Sequence, residues 1–388
     1  MRIALVHIRH AETGGVERFQ NHLAAHLAER GHEITLLCRR HGATPHPRVR
    51  VEKLHGFALG KTWRIWTFAR DVERHLREHG YDVVVGLGRT WRQDVLRLGA
   101  GLHASYLERA HASKLSGLER LAGGGWSRHR LVLAIERLAF ADPGLKRVIA
   151  NSRMVARDVE RRYGVGADRL RVLHNGVDVE RFHPRQRHGS GDALRRELGL
   201  SESLVVLFLG TGFGRKGLDL ALAGFARLRR ERPDARLVVV GQDAAPGRFR
   251  ALAERLGVAG ATLFLGQRSD AEVCYGAADL YLLPTRYDPF ANSTVEALAS
   301  GLPVVTTSAN GGSEVIDQCV QGSVVPLEDA RDARAAPDAL GAELLYWSDP
   351  DRRAGGALAA RVRAEEHRIE TKMAAAEELL CEAARTAG

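Results

Sequence analysis

Two doubly wound α/β domains are the architecture this 388-residue sequence predicts. Three observations lead there. Short Val/Leu/Ile runs alternate with segments of helical period along the chain, the pattern of parallel strands covered on both faces by helices. The alternation stops in a polar stretch near the middle and then restarts. With 45% hydrophobic and 27% charged residues the composition is globular, and the length suits two domains.

In chain order, the first half offers strands at 2–8, 33–38, 81–86, 147–150 and 169–173, and a helical period at 16–30 closed by Gly31. The second half offers strands at 204–209, 236–240, 262–265, 280–283 and 303–306, with helical segments at 218–230, 249–256 and 293–300. This predicts a first domain over 1–181, a linker over 182–192, a second domain over 193–357 and a helical tail over 358–388. The linker is polar, contains Pro184 and Gly189, and carries no period. The tail is rich in Ala, Glu and Arg, and is expected to form one helix that packs back on the first domain.

Several classes drop out. No apolar run reaches the ~18–20 residues that span a bilayer. The start, Met1 to His7, reads as a buried strand rather than a signal peptide. Cys38, Cys274, Cys319 and Cys381 are scattered without a CxxC pair, so neither zinc nor a disulfide framework is expected, and the expected compartment is a reducing cytoplasm. The net charge of +10 is unevenly spread: +14 over residues 1–186 and −4 over 187–388. Such a basic half favours an anionic partner: nucleic acid, a membrane surface or a phosphorylated substrate. General arginine-rich surface coding is the other reading. No helix-turn-helix, zinc or RNP pattern is found, which argues against nucleic acid.

Four loops carry candidate chemistry. Thr13-Gly14-Gly15-Val16-Glu17 joins the first strand to its helix, where glycines and helix N–H groups suit an anion, or simply make a tight turn. The run from Gly210 through Gly212 to Gly217 follows the first strand of the second domain, where open sheets bind ligands. Its Arg215 and Lys216 offer adjacent cations to a diphosphate, although the Walker pattern is absent. In the run 287–297, Asp288 and Glu296 stand eight positions apart, flanking Asn292-Ser293-Thr294. That triplet is expected to open and cap a helix whose amides suit a phosphate, while carboxylates suit sugar hydroxyls. The bland alternative makes Asn292 a cap and Glu296 a dipole partner. Finally, Gly99-Ala100-Gly101-Leu102-His103 places a histidine beside glycines.

Together these loops resemble a family 4 retaining glycosyltransferase of the GT-B fold, with two Rossmann-like domains facing a cleft. The resemblance rests on Gly14-Gly15, NSRMVARDVERRYGV from Asn151, HNGVDVERFHP from His174, GRKGLD from Gly214 and YDPFANSTVEALASGLPVV ending at Val305. The last contains the family's EX7E signature as Asp288-X7-Glu296. Within the family the sequence is most similar to lipopolysaccharide core glucosyltransferases. The chain departs from the pattern at Asp288 (commonly Glu), Ala291 (commonly Gly) and Ala100 (often Asp).

The resemblance implies roles. Glu296 would bind the nucleotide ribose, Asp288 the donor sugar's hydroxyls, and the amides of Asn292, Ser293 and Thr294 the phosphates. Arg215 and Lys216 would neutralise the departing diphosphate, Gly14 and Gly15 would approach the donor phosphate, and His103 would sit near the transferred sugar. The implied reaction moves glucose from UDP-glucose onto a core heptose or similar glycan with retention. GDP-mannose, UDP-GlcNAc and ADP-heptose remain alternative donors. A sugar-nucleotide epimerase and a basic nucleic-acid binder are the rivals from other classes. No cofactor or metal is expected, and Asp349-Pro350-Asp351 reads as a turn. The basic, Leu- and Trp-containing stretch 104–140 suits an anionic leaflet, placing the enzyme on the cytoplasmic face of the inner membrane. Its other reading is a surface excursion packed on the first domain.

Overall fold

A computed structural model describes residues 1–12, 14–42, 46–56, 60–111, 124–327 and 330–385. The chain forms two compact units: residues 1–175 with 370–388, and residues 176–369.

Unit 1 holds strands β1 (Arg2–Val6), β2 (Arg9–His10), β3 (Glu33–Cys38), β4 (Arg40–His41), β5 (Val49–Lys53), β6 (Val83–Gly86), β7 (Val95–Leu98), β8 (Arg147–Ala150) and β9 (Leu170–Val172). Seven of them form a parallel sheet in the order β5-β3-β1-β6-β7-β8-β9, while β2 and β4 pair separately. Ile3, Ala4, Leu5 and Val6 are wholly buried, as near-continuous apolar strands in a two-faced parallel sheet should be. Unit 2 holds β10 (Val205–Leu209), β11 (Arg236–Val240), β12 (Thr262–Gly266), β13 (Leu280–Leu283), β14 (Val304–Thr307) and β15 (Gly322–Val325). All six are parallel, in the order β12-β11-β10-β13-β14-β15. The chain therefore winds outward from β10 through β11 to β12, then returns to the opposite side of β10. The point of reversal lies between β10 and β13, where doubly wound sheets open a crevice at their carboxyl ends.

The domain limits need correcting. The joint falls at Asn175/Gly176, before the predicted linker. Residues 182–192 belong to unit 2 and are structured: a 3-10 turn over Pro184–Arg187 leads into a helix over Ser190–Glu197. Buried Phe182 packs edge-on against Tyr275, and Arg187 and Arg195 both pair with Asp279 at 2.7 and 3.0 Å. These tertiary anchors are invisible in a polar, aperiodic stretch.

The tail is two helices, Pro350–Glu365 and Ile369–Arg385, rather than one starting at 358. The break has a cause: the His367 carbonyl accepts from Val177 N–H at 2.8 Å, and Ile369 N–H donates to the Val177 carbonyl at 2.9 Å. The first helix begins where Asp349 caps it, its Oδ1 accepting from Arg352 N–H at 3.0 Å, with Pro350 at the first position. The second belongs to unit 1, where Glu377 pairs with His26 and His32 at 2.9 and 3.0 Å. The expected packing of the tail's end on the first domain is thus observed.

In the stretch 104–140, Lys114, Leu115, Leu118 and Arg120 lie outside the described residues. The helix Gly124–Ala141 presents Leu138 at 54% exposure. Among the described residues no helix is long and apolar enough to cross a membrane.

Candidate active site

In unit 2, the loops that leave β10 and β13 meet. After β10 the chain makes one helical turn, Phe213–Lys216, bracketed by Gly212 and Gly217 in left-handed conformation (φ 77° and 76°). At Gly217 a side chain would collide with the Pro284 carbonyl on the loop after β13, so only glycine lets the two loops come this close. Thr285 Oγ1 and Arg286 N–H both donate to the Arg215 carbonyl at 2.9 Å. Arg286 also clamps Asp219 with two 2.7 Å bonds.

This lock places Arg215 and Lys216 against Asp288. Asp288 Oδ2 accepts from Arg215 Nη1 at 2.7 Å and from Lys216 Nζ at 2.8 Å, and Oδ1 accepts from Phe290 N–H at 3.2 Å. Burial pushes the Asp288 carboxyl up, but the charges of Lys216 and Arg215 outweigh it and hold the group down at about 2. Burial also pushes Lys216 down, helped by neighbouring Arg215 and opposed by Asp288. Glu296 also acts on Lys216, so two carboxylates, Asp288 and Glu296, offset the two cations around this buried site.

Eight residues on, Glu296 lies in the helix Asn292–Ala299 and is buried, its Oε2 accepting from Tyr275 O–H at 3.0 Å. The helix start differs from expectation in one respect. Ala291, rather than Asn292, occupies the cap position, and it supplies no side-chain cap bond. Asn310, wholly buried after β14, takes over the work. Its Oδ1 accepts from Ala291 N–H at 3.2 Å and Gly312 N–H at 2.9 Å, and its Nδ2 donates to Thr294 Oγ1 at 2.9 Å and Thr306 Oγ1 at 3.1 Å. Tyr275 O–H additionally donates to the Ser293 carbonyl at 3.2 Å. Asn310→Ala would leave two amides and two hydroxyls without this partner. It should cost about 3 kcal/mol, read as a lower urea midpoint at unchanged slope.

The Arg215–Asp288–Lys216 cluster thus stands at the switch point of a doubly wound sheet. The model of Glycosyltransferase Family 4 matches residues 13–181, and that of Glycosyl transferases group 1 matches 191–340. Lipopolysaccharide glucosyltransferase WaaG of Escherichia coli K12 is 30% identical over 333 residues, covering 84% of this chain and 85% of that protein. The chain belongs to glycosyltransferase family 4.

Solved structures agree with the fold of this glycosyltransferase. The crystal structure of WaaG superposes with a TM-score of 0.81 at 26% identity, covering 97% of this chain and 99% of that one. Anabaena Alr3699/HepE in complex with UDP-glucose superposes with a TM-score of 0.71 at 20% identity, over 98% and 100%.

The remaining expected site residues of the transferase lie in unit 1. Gly14 precedes the helix Gly15–Glu29, whose first turn holds Glu17. Burial raises the Glu17 carboxyl, but hydrogen bonds from His7 and Arg9 bring it to about 2, with Arg9 Nε donating at 2.7 Å. His103 follows β7 and lines a cavity in unit 1, with its Nε2 2.9 Å from His129 Nδ1 and its N–H donating to Glu136 at 2.5 Å. Sequence reasoning missed Asn310, Tyr275 and Arg286. For Asn310 a signal existed, since Asn310-Gly311 comes shortly after the predicted strand 303–306 and reads as a turn. Nothing local marks Tyr275 or Arg286.

Proposed function

We propose that the protein transfers glucose from UDP-glucose to a heptose of a lipopolysaccharide core, or a similar glycan hydroxyl, with retention of anomeric configuration. The observation that carries this reading is the buried Arg215–Asp288–Lys216 cluster at the switch point of unit 2, next to the helix bearing Glu296. The likeness to WaaG, and the UDP-glucose held by HepE, support the choice of donor and acceptor.

In this mechanism the bond from the sugar's anomeric carbon to the diphosphate breaks through an oxocarbenium-like transition state. Negative charge grows on the leaving oxygen. Arg215 and Lys216 stabilise that charge as it develops, and being preorganised by Asp288 they need little rearrangement. Glu296 binds the ribose hydroxyls, and the amides of the Asn292–Ala299 helix start meet the phosphates. The acceptor hydroxyl attacks on the face the diphosphate leaves, and its proton passes to the diphosphate. Two fixed cations supply the charge a metal would otherwise bring, so transfer proceeds without one. Asp288 serves this reading by aligning the two cations, in addition to the donor-sugar contact its position in the signature implies. Gly14, Gly15 and His103 keep their proposed places at the donor phosphate and the transferred sugar.

The enzyme works at the cytoplasmic face of the inner membrane, held to an anionic leaflet by the region 104–140, whose helix Gly124–Ala141 carries exposed Leu138 and Arg130.

Calorimetric titration with UDP, GDP and ADP in the absence of added metal tests the donor. Micromolar binding of UDP alone is the expected result. Preference for GDP or ADP would replace the donor, and binding of none would remove the transferase reading.

A further inference from the structure

Unit 1 contains a cavity of about 630 Å³ at the carboxyl ends of β1, β6 and β7, next to the point where that sheet's winding reverses. Its lining is unusually cationic. Arg64, Arg89, Arg97 and Arg128 all contribute, and Glu136 is the sole acidic residue among those lining it. That carboxylate is already occupied: Oε2 accepts from His103 N–H at 2.5 Å, and Oε1 from Tyr163 O–H at 2.7 Å.

The arginines have no such partners. Among the described residues, none of the four guanidinium groups forms an ion pair with a carboxylate. Arg97 is the most telling. It is 3% exposed, its Nη2 donates to the neutral Asn175 Oδ1 at 2.6 Å, its guanidinium carbon lies 3.3 Å from the centre of the Phe19 ring, and its Nε has no acceptor. A side chain on Gly99 would meet its Nη1, so the loop after β7 lies directly against this group. Burial pushes Arg97 down to about 9. A fold that buries a guanidinium and gathers like charges around one cavity carries an electrostatic cost that a bound anion would cancel.

We propose that this cavity seats a phosphate group of the acceptor substrate, held by Arg89, Arg97 and Arg128. The inference rests on the transferase reading, and it adds to that reading the chemical class of the acceptor: a phosphorylated glycan. Unit 2 carries the cation pair proposed for the donor diphosphate. Gly14 and Gly15, proposed for the donor phosphate, do not line this cavity, whereas His103, proposed beside the transferred sugar, does. The cavity's arginines therefore fall to the substrate that receives the sugar. Planar guanidinium groups bind phosphate oxygens in pairs, which gives such a site geometry as well as charge.

The test is calorimetric titration of the full-length protein saturated with UDP, using glucose 6-phosphate, glucose and inorganic phosphate as probes. Glucose 6-phosphate and phosphate should bind, and glucose should not. Arg89→Gln and Arg128→Gln, both at exposed side chains, should each weaken glucose 6-phosphate binding roughly tenfold, with UDP affinity serving as the folding control. Arg97→Gln should abolish it, and the two exposed variants keep the test decisive if Arg97→Gln fails to fold. If UDP binds and the phosphorylated probes do not, or if Arg89→Gln and Arg128→Gln bind them as the parent does, the anion site is refuted while the transferase reading stands. If the parent binds no UDP, the transferase reading falls, and this inference with it.

Discussion

Lys216→Ala should lower the rate of transfer by roughly 100- to 1,000-fold, the loss typical of removing one preorganised donor from a developing anion. The effect should fall on kcat more than on KM, because charge on the leaving diphosphate is larger in the transition state than in the bound donor. The protein should still fold, since Asp288 keeps Arg215 Nη1 at 2.7 Å as its partner. Single-turnover measurement with UDP-glucose separates the chemical step from binding. A variant with parental kcat would mean that Lys216 only holds Asp288 and never meets the diphosphate.

Asp288→Asn should damage stability and activity together. Lys216 and Arg215 would face each other with no carboxylate between them, and breaking a buried pair from one side costs about 3–5 kcal/mol. Arg215 is 29% exposed along its side chain and can relax toward water, so the lower end of that range is expected. The acid limb of stability should also change. In the parent, the carboxyl sits at about 2 when folded, below its ordinary value, so its stabilisation is complete above about pH 4 and is lost as the pH falls toward 2. The variant lacks this increment, and its stability should vary less across that window. The alkaline side moves the other way. Burial and Arg215 push Lys216 down and Asp288 pushes it up, so the substitution lowers Lys216 further. Residual transfer should therefore fall as the pH rises, because only the protonated amine stabilises the diphosphate. Urea titrations from pH 2 to 5 and a pH–rate profile check both limbs, and identical acid limbs in parent and variant would contradict the argument.

Most of the strands were readable because a sheet covered on both faces demands uninterrupted apolar runs, and β1, β10 and β13 supply them. Five strands were not recognised: the two-residue β2 and β4, and the longer β5 (Val49–Lys53), β7 (Val95–Leu98) and β15 (Gly322–Val325). The local signals of the last three are weak for separate reasons. β5 lies at the sheet edge and alternates with Arg50 and Glu52, β7 carries a charge at Arg97, and β15 is four residues long and begins with glycine.

For the site, local sequence was enough to single out Arg215, Lys216, Asp288 and Glu296, because glycine loops and the spaced carboxylates are consequences of chemistry near the backbone. What no local pattern contains is how Asp288 is used. Its pairing with Arg215 and Lys216 joins residues more than 70 positions apart, and it arises only when β13 returns beside β10. The same holds for Asn310, which braces a helix start from the end of the next strand, and for the segment 182–192, whose order comes from Asp279 and Tyr275. By itself the sequence determined two α/β units, membership of a transferase family and the residue types available for an anion. Tertiary structure alone decided where one unit ends, which charges are paired, and which are left facing a cavity. Strand identity follows from periodicity along the chain, whereas charge compensation depends on neighbours that only folding brings together.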